Sequence, residues 1–384
     1  MLAGVMAERA PTKRAIDPAG APGPVPARLS DNPLTRSAAG VVGMVVLGLI
    51  SLACIFSLPW TLGWTSPSET PPYRAQELEA QYLPPFWSSH DADARERLLE
   101  AAAARIARET EDAGPGGAPF EPSEEELHSA APRYILGSDN LGRDLFVRCL
   151  AGGGVSIGMG VAAAIISVFI GTIYGAIAGY FGGRLDAVMM RIVDILYGLP
   201  YILLVVLLAV AVDALMLEWM ARTGRELSEG QRIFVNVLTL LVAIGGVSWL
   251  TMARVIRGQV LSLKEQPFME AARAIGVPLH AQFFRHLLPN LLGPIIVYAT
   301  LTIPQAILQE SFLSFLGIGV RPPLPSWGNL VAGGLAELNT VKPRWWLLLF
   351  PSLLLGVTLL ALNFVGEGLR EAFDPKRGAA RRST

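Results

Sequence analysis

An acidic side chain within an apolar run is the most conspicuous candidate for chemistry in this chain. Glu310 lies with Gln305, Gln309, Ser311 and Ser314 in the otherwise greasy stretch from about 291 to 316. A carboxylate facing lipid is expensive, so such groups turn toward a partner or a water-filled path. Gln305, Gln309 and Glu310 fall within one helical face by spacing, with Ser314 a turn further on. Three readings are open: a lined translocation path, polar groups that satisfy one another between helices, or a lone Glu310 carrying protons in an ion-coupled transporter. Other chemistry is hard to assemble. No Gly-Lys dipeptide occurs, so there is no Walker A phosphate loop. His90, His128, His280 and His286 are scattered, without metal-ligand spacing. No intramembrane Ser/His/Asp set can be argued from spacing. The sequence therefore offers no catalytic, metal or cofactor site, and any ATP used must be hydrolysed by another chain.

A second feature lies between two apolar runs, over residues 265–290. It reads EQPFMEAARAIGVPLHAQFFRHLLPN. Phe268 to Ile275 are strong helix formers and small alanines. Gly276 and Pro278 then turn the chain, and a second helix is predicted to end before Pro289. A short helix with a small-residue face suits insertion into a groove on a soluble partner. An ordinary amphipathic loop helix is the alternative.

The elements that carry these groups follow from composition. The chain has 384 residues, of which 52% are hydrophobic and 16% charged, against about 25% charged in a typical soluble domain. A bilayer core of about 30 Å needs roughly 20 apolar residues in a helix, and six segments meet that length. They run from about Ala38 to Leu62, Val155 to Phe181, Ala187 to Val212, Ile233 to Met252, Leu291 to Leu316 and Trp345 to Phe364. Lipid offers no partner for open backbone groups, so all six are predicted to be helices. The first reads as an uncleaved anchor. Ser167, Gly171, Gly175 and Gly179 recur every fourth residue in the second, a ridge that lets another backbone approach. Gly198 and Pro200 in the third, and Pro294 and Pro304 in the fifth, mark kinks or breaks. Cys54 and Cys149 lie in or beside apolar runs and give no disulfide framework. A secreted enzyme, a nucleic-acid binder and a disordered scaffold all fit poorly.

Basic residues orient the spans. Lys13, Arg14, Arg28 and Arg36 precede the first, and Arg254, Arg257, Lys264, Arg273 and Arg285 lie around the loop between the fourth and fifth. Arg370, Lys376, Arg377, Arg381 and Arg382 follow the sixth. With six spans these three segments share one side, so both termini are expected in the cytoplasm. Arg254 and Arg257 read as residues that extend the fourth helix into the cytoplasm and anchor it at the headgroups. Residues 1–37 form a Pro/Ala/Gly-rich tail expected to be disordered, and residues 368–384 a second cytoplasmic tail. The external segment 63–150 is too long for a simple connection. Asp91 to Glu109 reads as a helix with Leu98, Ala102 and Ile106 on one stripe, ended by Gly114 to Gly117. Ser123 with Glu126 resembles a capping box. This insertion is either a docking surface for an external partner or a small cap packed on the other loops.

At Glu270-Ala271-Ala272, Gly276 and Leu288-Pro289 the chain resembles the EAA loop of bacterial ABC-importer permeases in order and spacing. The general pattern prefers an aliphatic residue where His286 stands; Arg285-His286-Leu287-Leu288-Pro289-Asn290 looks like the peptide-permease branch. The stretch Leu136-Gly-Ser-Asp139-Asn-Leu-Gly142-Arg143-Asp144 resembles the segment preceding that branch's second span. Met190 to Asp194, Trp249 to Arg254 with Arg257, Ser311 to Gly319 and Pro322 to Gly328 are similarly close. The likeness runs from about Leu136 to the end of the sixth span, roughly two-thirds of the chain, and is to the C-type permease subunit of oligopeptide or dipeptide importers.

That resemblance implies an all-α, six-span type I importer permease in the inner membrane, with the five helices of 151–367 as its core. It implies a homologous second permease, one or two ATPase subunits that bind ATP and magnesium, and an external peptide-binding protein, with no nucleic acid involved. Glu270, Ala271, Ala272, Gly276, His286, Leu288, Pro289 and Asn290 would belong to the coupling loop that seats in the ATPase. Two features depart from the family pattern. Gly152-Gly153-Gly154 stands where many relatives carry an Arg after the first Gly, and the insertion near 91–126 exceeds a minimal member. Both lie on the external side, where substrate enters.

Overall fold

A computed structural model describes residues 38–64, 70–112, 122–338 and 342–373. The N-terminal tail, the glycines at 114–117 and the basic C-terminal tail beyond residue 373 lie outside the described residues. Among those described, the fold is all-helical, and six helical stretches are long and apolar enough to cross a membrane. The first is α1 (Ala38–Thr61). Two helices of the insertion follow, α2 (Ala92–Asp112) and the short α3 (Glu124–Ala130), and then the long α4 (Leu145–Phe181). Next come α5 (Gly183–Tyr197), α6 (Tyr201–Thr223) and α7 (Glu229–Lys264). Two short helices, α8 (Pro267–Ala274) and α9 (Leu279–Ala281), lead into α10 (Leu288–Phe315). The chain ends with α11 (Trp327–Ala336) and α12 (Trp345–Phe373).

The third span differs from its sequence expectation. The run Ala187 to Val212 is not one helix, because the chain breaks at Gly198-Leu199-Pro200. Pro200 pushes the residue before it out of the α region and donates no backbone hydrogen bond. Helix α5 carries Arg184, Asp186, Arg191 and Asp194, charges that a bilayer core tolerates poorly. The apolar span is therefore α6, shifted toward Thr223. Pro294 and Pro304, by contrast, lie within α10 without ending it.

The ridge on α4 does what its spacing predicts. An ideal Cβ at Gly171 would stand 2.9 Å from the Trp249 carbonyl oxygen, and one at Gly179 2.8 Å from that of Arg257. At Gly175 it would fall on the Ala253 carbonyl oxygen, closer still. The two backbones thus meet along a line of α4 that only glycine leaves open. Around this line Ala176, Met252, Ile256 and Val260 form an apolar core that continues into Met269, Leu287 and Leu291. Gly153 abuts Cys54 and Trp327, so the glycine triplet at the head of α4 accommodates α1 and α11. Both cysteines are buried, unpaired thiols.

The insertion packs against the far end of the bundle. Ala101 of α2 joins Ala80, Leu83 and Tyr134 in a small core, with Leu98 against it. Glu77 collects Arg105 at 2.8 Å and the Tyr134 hydroxyl at 2.9 Å. Ser123 and Glu126 form the capping box at α3. The insertion reaches the membrane-spanning part through Tyr82, which donates to Glu337 at 2.8 Å, through Lys342 on Asp93 at 2.9 Å, and through Trp87 beside Trp345.

Gly175→Val should lower the thermal midpoint of the detergent-purified chain by several degrees, since overpacking typically costs about 1–3 kcal/mol. Gly158→Val, on the same helix but with no atom within 4 Å of its added Cβ, should leave the midpoint near that of the wild type. Equal midpoints for the two variants would show that the backbone contact is not tight.

Candidate coupling loop and intramembrane polar cluster

Helix α8 begins on Pro267, whose missing N–H costs nothing in a first turn. It ends at Gly276, where φ is +75°. The Gly276 N–H donates to the Arg273 carbonyl at 3.0 Å and that of Val277 to Ala272 at 3.0 Å, a paired closure that requires a left-handed residue at the glycine. One face of α8 is an anchor: Met269 is fully buried and Ala272 is buried beside it. The other face presents Glu270, Ala271 and Ile275 to solvent, with Ile275 79% exposed.

After α8 the chain does not stop before Pro289, as its sequence suggested. From Gln282 to Leu287 it widens into a π-helical turn, and the Leu288 N–H reaches back to the Phe283 carbonyl. The wider turn makes room for Pro289, whose ring would collide with a carbonyl of a regular α-helix. The path therefore runs without interruption from the loop into α10. The Asn290 side chain donates to the His286 carbonyl at 2.6 Å, a further tie across the irregular turn. Leu288 and His286 are half-buried, while Pro289 and Asn290 are exposed.

Several residues that the sequence did not single out lock this loop to the bundle. Gln282 is buried; it accepts from the Tyr180 hydroxyl of α4 at 2.6 Å and donates to the Val277 carbonyl at 2.7 Å. Lys264, the last residue of α7, donates to the Gly179 carbonyl at 3.0 Å. Arg257 grips Asp186 of α5 with two hydrogen bonds, at 2.5 and 2.6 Å. Arg254 reaches Asp194 at 2.9 Å, and its guanidinium carbon lies 4.3 Å from the Tyr197 ring centroid. The two arginines expected to anchor α7 at headgroups thus fasten α5 to α7. An acidic residue every second turn of α5, opposite two arginines on α7, is the pattern that could have indicated it.

The polar residues of α10 separate. Gln305 is exposed, Gln309 is half-buried with its Oε1 unpartnered, and Glu310 is fully buried. The Ser156 hydroxyl of α4 donates to Glu310 Oε2 at 2.8 Å, and the Ser314 hydroxyl to Oε1 at 2.7 Å. Ser311 stands 3.4 Å from Oε2. Each main hydroxyl is itself an acceptor, Ser156 from the Trp327 N–H at 3.2 Å and Ser314 from the Val320 N–H at 2.9 Å. Their protons are thereby aimed at the carboxyl, which acts as acceptor on both oxygens. The N-terminus of α11, capped by Ser326, faces the same cluster and favours negative charge there. Gly154-Val155-Ser156-Ile157-Gly158 spells the G-x-S-x-G pattern of hydrolase elbows, but it lies inside a continuous helix and Ser156 faces a carboxyl instead of a histidine. Among the described residues no three His, Cys, Asp or Glu gather as metal ligands.

Comparison with known proteins places this geometry in context. Residues 171–378 match the family described as "Binding-protein-dependent transport system inner membrane component", a stretch that includes the whole loop 265–290. The chain is 45% identical over 261 residues to the oligopeptide transport system permease protein OppC of Haemophilus influenzae, covering 67% of this chain and 76% of that protein. It is 42% identical over 254 residues to the dipeptide transport system permease protein DppC of Bacillus subtilis, covering 66% and 72%. The Escherichia coli oligopeptide transport system permease protein OppC is 45% identical over 243 residues, covering 63% and 72%.

Glu310→Ala should destabilise the chain markedly, because each buried hydroxyl left without its acceptor costs about 1–3 kcal/mol. Glu310→Gln keeps the volume and one acceptor oxygen, so its thermal midpoint should fall between Glu310→Ala and wild type. A Glu310→Ala midpoint equal to that of the wild type would mean that the carboxyl does not hold the 320–327 segment on α4.

Proposed function

The chain belongs to the family of binding-protein-dependent transport system inner membrane components, and from that premise we propose that it is the permease subunit of an ATP-driven peptide importer, driven through the loop at α8. It is a multi-pass protein of the bacterial inner membrane. In this reading a homologous permease completes the pathway and one or two ATP-binding subunits sit on the cytoplasmic face. An external binding protein delivers peptide, and ATP with its magnesium is held by the partners. Both chain termini then lie in the cytoplasm, in keeping with the basic residues on that side. The relatives' names, oligopeptide and dipeptide transport system permeases, support peptide as cargo.

The observation that carries the coupling role is the construction of α8. A helix whose outer face offers Glu270, Ala271 and the exposed Ile275 is held to the membrane bundle by Met269, Gln282 and Lys264. Small side chains on the outer face allow close approach to a groove, and Ile275 supplies an apolar contact. A push on α8 acts on α7 and α10, which continue from it on either side. Helix α7 cannot slide freely past α4, because their backbones touch at the glycine ridge. Helix α5 follows through Arg254 and Arg257. Motion at the ATPase therefore reaches the spans as displacement of a packed unit.

Gly276→Pro imposes a φ near −65° on a position held at +75° and should disorganise the end of α8. Glu270→Lys reverses charge on the outer face while leaving the buried anchor untouched. Both variants should insert at wild-type levels, lower peptide uptake at least tenfold and retain less ATP-binding subunit on purification. Normal uptake by both variants would refute coupling through this loop.

A further inference from the structure

A cavity of about 420 Å³ lies at the end of the bundle remote from α8. It is a half-open cleft bounded by the C-terminal end of α6, the N-terminal end of α7 and the chain segment that follows α10. Its body is apolar and adaptable, with Met216, Met220 and Ile233 among its walls; thioether side chains fit varied shapes at little cost. An ion pair stands in the wall, Arg321 donating to Asp213 at 2.6 Å and, through its other terminal nitrogen, at 3.3 Å. The Arg321 side chain is 50% exposed and that of Asp213 37%, so this pair contributes little net stability. Its position, by contrast, is fixed. The Arg321 N–H donates to Asn236 Oδ1 at 3.2 Å, and Asn236 Nδ2 donates to the Gly319 carbonyl at 3.4 Å, which holds the segment on α7. Of the other charged residues of the lining, Glu229 pairs with Arg74 of the insertion at 2.9 Å, while Arg232 is exposed and donates through Nε to the Leu227 carbonyl at 3.3 Å, which leaves its charge turned to solvent.

An apolar cavity of this size with a few fixed polar groups is the usual form of a small-molecule site. Here the fixed groups are one cation and one anion, side by side and weakly committed to each other. That combination fits a small zwitterion carrying an apolar side chain. It suits neither a simple anion, which Asp213 would repel, nor a simple cation, which Arg321 would.

We propose that this cavity is a receiving subsite for the cargo, a short peptide with free termini. The peptide carboxylate takes Arg321 from Asp213, the released Asp213 accepts the peptide ammonium, and an apolar side chain enters between Met216, Met220 and Ile233. This inference rests on the peptide-importer reading. It adds that the permease itself, and not only an external binding protein, reads the ends of the peptide.

The test uses the complete complex purified without external binding protein, with Leu-Leu, its C-terminal amide and its N-acetyl derivative titrated by calorimetry. Leu-Leu should bind wild type at least tenfold more tightly than the amide. In Arg321→Gln both ligands should bind as the amide binds wild type, so the discrimination disappears. In Asp213→Asn the N-acetyl derivative should bind more tightly than to wild type, because its carboxylate no longer competes for Arg321. A merely structural pair would weaken all three ligands alike, and that result overturns the proposal. So does Leu-Leu binding abolished by added phosphatidylethanolamine, which would mark the cavity as a lipid site. A wild-type complex that transports peptide but binds no Leu-Leu also overturns the subsite and leaves the importer reading standing. Failure of the chain to assemble with any ATP-binding subunit would strike that reading instead.

Discussion

The contact on which this molecule depends is the approach of two backbones, α4 and α7, along Gly171, Gly175 and Gly179. Lipid gives helices little hydrophobic reason to associate, so a membrane bundle is held by close packing and by polar groups that find one another. The glycine line provides the packing, and Lys264 capping the Gly179 carbonyl closes its end. Because α7 leads directly into α8, whatever fixes α7 also fixes the loop. The core that starts at Met252 and Ile256 runs on through Met269 to Leu287 and Leu291 without a gap. Membrane helix and loop therefore share one hydrophobic interior.

At the other end of α4 the binding principle is polar. Glu310 holds two serine hydroxyls, and each hydroxyl holds a backbone N–H of the 320–327 segment. One carboxyl thereby organises α4, α10 and the start of α11 through hydrogen bonds that leave little polar capacity unused. The cluster is buried within the chain, and Gln305 lies on the exposed side of the same helix. The two ends of the bundle are thus rigid for different reasons, dry backbone contact near the loop and a satisfied polar network at the far side.

Much of this was legible in residue order because it is local. The spacing of four along α4, the turn at Gly276, the capping box at Ser123 and the break near Pro200 each involve residues close in sequence, and each has one dominant physical cause. The sequence reading missed what depends on distant partners or on competition between local rules. Ser156 and Glu310 are 154 positions apart; nothing in either neighbourhood announces the other. Arg257 and Asp186 are separated by 71 positions, so a charge near a membrane surface gives no local sign of the ion pair it makes. Pro289 looked like a helix terminator, but the chain absorbs it by widening a turn. The run Ala187 to Val212 had bilayer length, but the charges of α5 outweigh its hydrophobicity once Pro200 allows a break. Helix α11 is short, and its capping pair, Ser326 and Asn329, lies behind a proline-rich stretch that reads as loop.

An ATP-driven importer needs this chain as one component of an assembly and not as a transporter by itself. The direct measurement is purification of the tagged full chain in mild detergent, with mass spectrometry of everything retained. A homologous permease and one or two ATP-binding subunits should come with it in fixed proportion. Recovery of the chain alone or as a homodimer, under conditions that keep a known transporter complex intact, would contradict the claim.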